Sequence, residues 1–167
     1  RPGDIERAYQ AFVWGTPPRP AGTVDTLLGR SGRDRTSQAV VNEGQPDARH
    51  AVTHYAVRER FGGKPDATAL ASLVECRLET GRTHQIRVHM AHIGHPLIGD
   101  RDYGAAFLSK ANRLPEPLKG RVSGFGRQAL HAWLLAFRHP TTHISLRFEA
   151  PMPEDMALLL AAFRAAE

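Results

Sequence analysis

The sequence is poor in cysteine, lysine and long apolar runs, and these shortages exclude whole classes of protein. A single cysteine, Cys76, occurs in 167 residues, so neither an internal disulfide nor a cysteine-rich metal site can form. An unpaired thiol is typical of a reducing compartment and favours a cytoplasmic protein. No apolar run approaches the roughly 18–20 residues of a membrane helix, so no transmembrane segment is predicted.

The positive charge of the chain is carried almost entirely by arginine. Of 22 cationic residues 19 are arginine and 3 are lysine, and the net charge is +5. The guanidinium of arginine forms bidentate hydrogen bonds with phosphates and stacks on bases, so the excess of arginine favours a nucleic-acid partner. A genome with arginine-biased codons explains the arginine-to-lysine ratio equally well.

The order of apolar and polar residues predicts an α+β fold. A helix is expected after an N-cap at Thr83, because Ile86, Met90 and Ile93 form one helical stripe, and a last helix begins at Pro153. Residues 109–126 look like a mobile surface loop. Strands are expected at 9–15, 22–28, 37–41, 51–58, 70–78, 128–137 and 144–148. Many strands with few helices predict a mixed, largely antiparallel sheet.

The segment 80–89, T-G-R-T-H-Q-I-R-V-H, is the densest in chemical groups. Gly81 permits a sharp exit from the preceding strand, and a helix N-terminus with free N–H donors follows at once. Arg82 precedes the cap and Arg87 lies one turn inside the helix, off the apolar stripe, where it can face a cleft. This pattern predicts an anion site. The alternative is that Arg87 pairs with a structural carboxylate.

Four histidines within twelve residues raise the alternative of a metalloenzyme: His84, His89, His92 and His95. No H-E-x-x-H motif and no carboxylate lies among them, so we expect hydrogen-bonding or RNA-proximal histidines and no metal. The serines show no nucleophile elbow. Cys76 lies within an apolar strand, so we expect it to be buried rather than catalytic.

The central block closely resembles the RluA-type RNA pseudouridine synthases. It comprises residues 80–89, then G-H-P-L-I-G-D at 94–100 and Tyr103-Gly104. Further matches fall in order around it, at 7–15, 22–30, 49–55, 127–132, 139–140 and 148–151. In the first of these, Arg7 stands where the family has lysine. The resemblance spans about residues 4 to 160.

This resemblance implies an isomerase that detaches uracil from its ribose, rotates it and rejoins it through carbon 5, with no cofactor or metal. Tyr9 matches the tyrosine that stacks on the flipped base and acts as the base at carbon 5. Arg87 matches the arginine that pairs with the nucleophilic aspartate. Leu130 matches an apolar position of the substrate pocket, and the resemblance places Arg82, His84 and Ile86 beside the substrate.

One part of the family pattern has no counterpart in this sequence. The nucleophile belongs to an R-L-D-x-x-S/T-G motif about thirty residues before the tyrosine strand, and only eight residues precede Tyr9. Asp34 imitates the motif, but it lacks the preceding leucine and the following glycine. We therefore expect residues 1–167 to be the C-terminal portion of one catalytic domain, truncated on its N-terminal side and inactive alone. A first residue Arg1 rather than Met agrees with this expectation.

The resemblance also bears on the RNA target. The run at 89–100 looks most like the branch that acts on large-subunit ribosomal RNA, with transfer RNA as the alternative target. A function of a different class stays open at this stage, namely a non-catalytic RNA-binding module on the same fold.

Overall fold

A seven-stranded antiparallel sheet forms the frame of the molecule. The computed structural model describes residues 5–34, 36–62 and 69–166. The strands are β1 (Ile5–Trp14), β2 (Ala21–Arg30), β3 (Gln38–Val40), β4 (Arg49–Phe61), β5 (Ala71–Leu78), β6 (Leu130–Arg138) and β7 (Ser145–Glu149). Their order is β3-β2-β4-β5-β1-β6-β7, and every pairing between these strands is antiparallel. The predicted α+β class with a largely antiparallel sheet is confirmed.

Strand β1 lies between β5 and β6 and is buried on both faces. Its side chains alternate, so Ala11 and Val13 join the core on one face while Phe12 and Trp14 join the core on the other. All four side chains are at most 3% exposed. A strand that is apolar on both faces therefore identifies the centre of this sheet.

A different helix covers each face. Helix α1 (Gln85–His92) packs Ile86 and Met90 against the face that carries Ala11 and Val13. Helix α3 (Glu154–Ala165) covers the opposite face, where Phe163 stacks on Phe61 with ring centroids 5.0 Å apart. Within the described ranges no helix is both long enough and apolar enough to cross a membrane.

The start of α1 differs from the prediction. The cap position is His84 rather than Thr83, and its backbone is left-handed with φ 54°. No side chain caps the helix through the usual serine or threonine pattern. The Gln85 side chain instead accepts hydrogen bonds from the Arg82 N–H (3.0 Å) and the Thr80 hydroxyl (2.8 Å). The prediction failed because the side chain of Gln85, the first residue of the helix, bonds to the preceding residues and takes the place of a serine or threonine cap.

The prediction of a mobile loop over 109–126 was wrong. This stretch contains the end of a 3₁₀ helix (Ala105–Arg113) and all of helix α2 (Leu118–Ser123). It contributes five side chains to the core under α3: Ala111, Leu114, Leu118, Val122 and Phe125. Glycine, proline and four cations obscured the apolar spacing, and the exposed side of these short helices accounts for their polar composition.

Candidate active site

All six residues that the sequence placed at the site line one cleft of about 200 Å³. The cleft lies where β1, the end of β5, the N-terminus of α1 and the approach to β6 meet. Its predicted lining residues are Tyr9, Arg82, His84, Ile86, Arg87 and Leu130. Three further lining residues, Leu78, Gln85 and Gln128, were not predicted.

Tyr9 reaches the cleft from the middle of the sheet. It pairs with Cys76 of β5 and with Ala132 of β6, and the register with β6 shifts between Ala8 and Tyr9. The extra residue of this shift is Trp133 of β6, whereas β1 pairs with β5 without a shift, so Tyr9 keeps the alternation of β1. Irregularities of this kind are common beside active sites. The Tyr9 hydroxyl has no hydrogen-bond partner among the described residues, so it is available to a substrate.

Gln85 fixes the wall of the cleft that precedes α1. Its side-chain amide donates to the Val52 carbonyl and to the Thr53 hydroxyl, both at 3.0 Å, and its oxygen accepts the two bonds described above. The residue is 2% exposed and its hydrogen-bonding capacity is used. It therefore ties the segment carrying Arg82 to β4. In the sequence, the signal that could have identified Gln85 was its position in the first turn of the predicted helix.

Arg82 and His84 are held in place from outside the cleft. The Arg82 Nε donates to the His50 carbonyl oxygen at 2.9 Å. The His84 Nδ1 lies 2.9 Å from the hydroxyl of Tyr103, which itself accepts a bond from the Gln38 N–H. If that hydroxyl donates its proton to Nδ1, the neutral His84 ring carries its own proton on Nε2. Each of these two side chains is thus anchored through one nitrogen, and its other nitrogens make no hydrogen bond with the residues that the structure describes.

Arg87 is the most constrained charge of the cleft. Its Nε and Nη2 donate to the two carboxylate oxygens of Asp100, each at 2.8 Å, and Nη2 also donates to Asp102 at 2.8 Å. The guanidinium carbon lies 4.9 Å from the centre of the Tyr103 ring. Nη1 has no hydrogen-bond partner in the described parts of the chain. Arg87 therefore pairs with a structural carboxylate, as the alternative from the sequence held, and its Nη1 remains available to a further group.

The ion pair between Arg87 and Asp100 is buried. The Arg87 side chain is 9% exposed and that of Asp100 is fully buried. Burial by itself would raise the pKa of Asp100. The hydrogen bonds from Arg87 and from the Tyr103 and Asp102 N–H groups outweigh burial and hold that pKa below its usual value. The hydrogen bond with Asp100 in turn raises the pKa of Arg87. Both groups stay ionised across the physiological range.

Asp34 is not among the residues that line the cleft. One of its carboxylate oxygens accepts bonds from the Thr36 N–H and hydroxyl, and the other accepts from the Ser37 hydroxyl. These bonds, led by that of the Thr36 hydroxyl, lower the pKa of Asp34. The resemblance of 33–37 to the nucleophile motif is therefore explained by a turn in which the acid bonds its own loop.

The remaining histidines of the central block have separate environments. His89 is fully buried between the hydroxyls of Thr26 and Thr53, each 2.8 Å from one ring nitrogen. His95 bonds the Trp14 carbonyl at 2.9 Å. In residues 5–34, 36–62 and 69–166 no three His, Cys, Asp or Glu side chains form a group that could hold a metal ion. Cys76 is fully buried, as predicted, and burial raises the pKa of its thiol to about 12.

Comparison with known proteins gives the same family on sequence grounds. Residues 1–92 match the family model described as RNA pseudouridylate synthase. The ribosomal large subunit pseudouridine synthase D of Xanthomonas campestris is 47% identical over 161 residues, which are 96% of this chain and 45% of that protein. An uncharacterized RNA pseudouridine synthase of Bacillus subtilis is 45% identical over 160 residues, with the same two coverages. The chain spans about half the length of the curated relatives it matches.

Solved structures agree on the fold. Human RNA pseudouridylate synthase domain containing 4 superposes with a TM-score of 0.68 at 22% identity, over 96% of this chain and 62% of that one. Human RNA pseudouridylate synthase domain containing 1 gives a TM-score of 0.62 at 23% identity, over 97% and 66% of the two chains. The family model covers more than half of the sequence. The chain belongs to the RNA pseudouridylate synthase family.

Proposed function

We propose that this chain forms the uridine-binding part of an RNA pseudouridine synthase that acts on large-subunit ribosomal RNA in the cytoplasm. The observation that carries the proposal is the convergence of Tyr9, Arg87 and Leu130 from three separate elements on one cleft. The names of several relatives specify the large ribosomal subunit, which supports that target over transfer RNA.

The cleft suits a base that has left its stack. Leu78, Ile86 and Leu130 supply apolar walls, and Tyr9 supplies an aromatic face on which a flipped pyrimidine can stack. Arg82 and His84 supply polar edges. A flipped base is held by stacking together with a few hydrogen bonds, and both kinds of group are present.

Tyr9 is suited to the proton transfer of the reaction. Isomerisation breaks the bond between N1 of uracil and C1′ of the ribose, forms a bond between C5 and C1′, and removes the proton from C5. The Tyr9 hydroxyl is unpartnered among the described residues and belongs to a rigid central strand. In this proposal the Tyr9 oxygen accepts the C5 proton as its own hydroxyl proton is released, and N1 gains a proton in place of its bond to C1′. One proton leaves C5 and one is added to N1, so no net oxidation or cofactor is required.

The nucleophilic aspartate is placed, in this proposal, outside these 167 residues. The cleft is lined by no carboxylate among its described residues, and the carboxylate of Asp34 is occupied by its own loop. Arg87 can serve such a nucleophile through Nη1, because Asp100 holds the opposite edge of the guanidinium. The isolated chain is accordingly expected to be inactive.

The test is release of tritium from large-subunit ribosomal RNA labelled at C5 of uridine. The full-length natural protein should release tritium, and Tyr9→Phe and Arg87→Leu should each slow release by about 10²- to 10⁴-fold, as expected for loss of a group that acts in proton transfer or charge stabilisation. Arg147→Gln on β7, away from the cleft, is the matched control and should leave the rate unchanged.

Two outcomes would contradict the proposal. If the natural protein binds this RNA and releases no tritium, the non-catalytic RNA-binding module becomes the better description. If the isolated 167-residue chain turns over and Asp34→Ala abolishes its turnover, the nucleophile has been placed wrongly.

A further inference from the structure

Arg7 occupies the space beside Gly81. A Cβ atom at Gly81 would lie 2.3 Å from Arg7 Nη1 and 3.3 Å from its guanidinium carbon. The φ of Gly81 is not in the left-handed region that favours glycine. The sharp exit expected from the sequence is therefore not the reason for glycine here. The head of Arg7 instead lies against the backbone of this segment, so a side chain at position 81 would have to displace the end of Arg7.

The guanidinium of Arg7 has no anionic partner within residues 5–34, 36–62 and 69–166. Its Nε is buried and makes no hydrogen bond. Among the described residues no carboxylate forms an ion pair with it, whereas Arg58, Arg127 and Arg147 each pair with an acid. Arginine stays ionised at every physiological pH, so a partly buried guanidinium without a counter-charge is suited to bind an anion from outside the chain.

The position of Arg7 indicates which anion it meets. Arg7 and Tyr9 are two residues apart on β1 and share a face of the sheet. The Arg7 head lies at Gly81, next to Arg82, which lines the cleft. Arg7 is not itself a lining residue. It therefore flanks the cleft, where the backbone of a nucleotide next to the flipped base would pass.

We propose that Arg7 binds a phosphate of the nucleotide adjacent to the target uridine, with Gly81 leaving the room that its guanidinium needs. This inference rests on the proposed function and adds a binding residue outside the base pocket. The fork of the guanidinium matches a phosphate, and the net charge of +5 agrees with a polyanionic ligand. A protein carboxylate is the competing partner, and the experiment separates the two.

The experiment measures binding of a fluorescein-labelled single-stranded RNA 15-mer to the full-length natural protein between 50 and 300 mM KCl. Loss of one phosphate contact should reduce the slope of log affinity against log salt by about 0.7 and weaken binding by about tenfold. Arg7→Gln should show both effects, and Arg7→Lys should restore most of the slope. Arg164→Gln, on α3 at the opposite face, removes the same charge and should leave the slope unchanged.

Gly81→Ala supplies a second route that leaves the charge in place. The added methyl must displace the Arg7 head, so affinity should fall and the slope should become shallower. In the Arg7→Gln background the same substitution should have little further effect, because no guanidinium remains to be moved. Thermal unfolding of each variant identifies any variant that fails to fold. The test compares the effect of Gly81→Ala in the natural and Arg7→Gln backgrounds, so it does not depend on one variant alone.

Each contrary outcome overturns the inference. An unchanged slope in Arg7→Gln, or an equal change in Arg164→Gln, would show that Arg7 makes no specific phosphate contact. A fall in tritium release with an unchanged slope would assign a protein carboxylate instead. Absence of measurable RNA binding would also refute it. Tritium release by the unaltered protein is measured separately and decides the proposed function independently.

Discussion

Asp100 and Asp102 bind the same arginine at the same distance but differ in burial, so they form a matched pair for testing what holds the cleft together. Each has a carboxylate oxygen 2.8 Å from Arg87 Nη2. The Asp100 side chain is 0% exposed and that of Asp102 is 64% exposed. If burial governs the cost of breaking the ion pair, the two substitutions to asparagine should differ severalfold.

The expected magnitudes follow from the contacts. Asp100 accepts two bonds from Arg87 and one each from the Asp102 and Tyr103 N–H groups. Asp100→Asn leaves a buried guanidinium whose remaining anionic partner is solvent-exposed, and the expected loss is about 3–5 kcal/mol. Asp102→Asn removes an exposed partner, and water screens that pair, so the expected loss is about 0–1 kcal/mol.

The assay is urea unfolding followed by tryptophan fluorescence, since Trp14 is buried in the core. The midpoint should shift strongly for Asp100→Asn and hardly at all for Asp102→Asn, with similar slopes for both variants. Equal losses for the two variants would refute the argument that burial sets the energy. A small loss for Asp100→Asn would show that Arg87 does not depend on its buried partner.

Three further predictions concern groups outside the cleft. Burial, followed by repulsion from His92, lowers the pKa of His89 from 6.5 to about 4. The unfolded chain then binds a proton that the folded chain does not, so stability falls by about 3 kcal/mol as pH drops from 6.5 to 4. His89→Gln, whose amide can still bond both threonines, should remove this part of the fall in urea midpoints, and an unchanged pH profile would exclude His89 as its cause. Leu118→Ala should lower the free energy of unfolding in urea by about 2–5 kcal/mol, because the side chain is 1% exposed. Leu108→Ala, at 44% exposed, should lower it by well under half as much. Equal losses would show that Leu118 is not part of the core and would support the predicted surface loop. The Cys76 thiol, with its pKa raised to about 12, should react with Ellman's reagent at pH 8 only after unfolding, and prompt reaction of the native protein would contradict its burial.

The strands were predictable because their signal is local. Alternating side chains identified the segment that became β4, and residues that favour strands identified those that became β1 and β5, although the observed bounds are longer at several ends. The stripe of Ile86 and Met90 likewise located α1 within a residue or two. In contrast, the segment before Gly124 was mistaken for a loop, because short helices that bury one or two side chains per turn leave little periodicity to detect.

The composition of the cleft was predictable from the family resemblance, but the partners that support it were not. The motif residues named Tyr9, Arg87 and Leu130, and the structure places them together. Nothing in the sequence linked Arg87 to Asp100 or Gln85 to β4. Such contacts join side chains across turns and strands, and each residue type involved has many other uses in proteins.

The sequence alone determined most of the strands, the positions of α1 and α3, and the family the residues belong to, since these depend on local spacing and on motif order. Tertiary structure alone decided that Arg87 is held by a buried acid, that Asp34 is engaged by its own loop, and that the head of Arg7 lies against Gly81. The physical reason is the strand order. It places β5, β1 and β6 side by side, so residues distant in the chain share one cleft, and their contacts have no counterpart in local sequence.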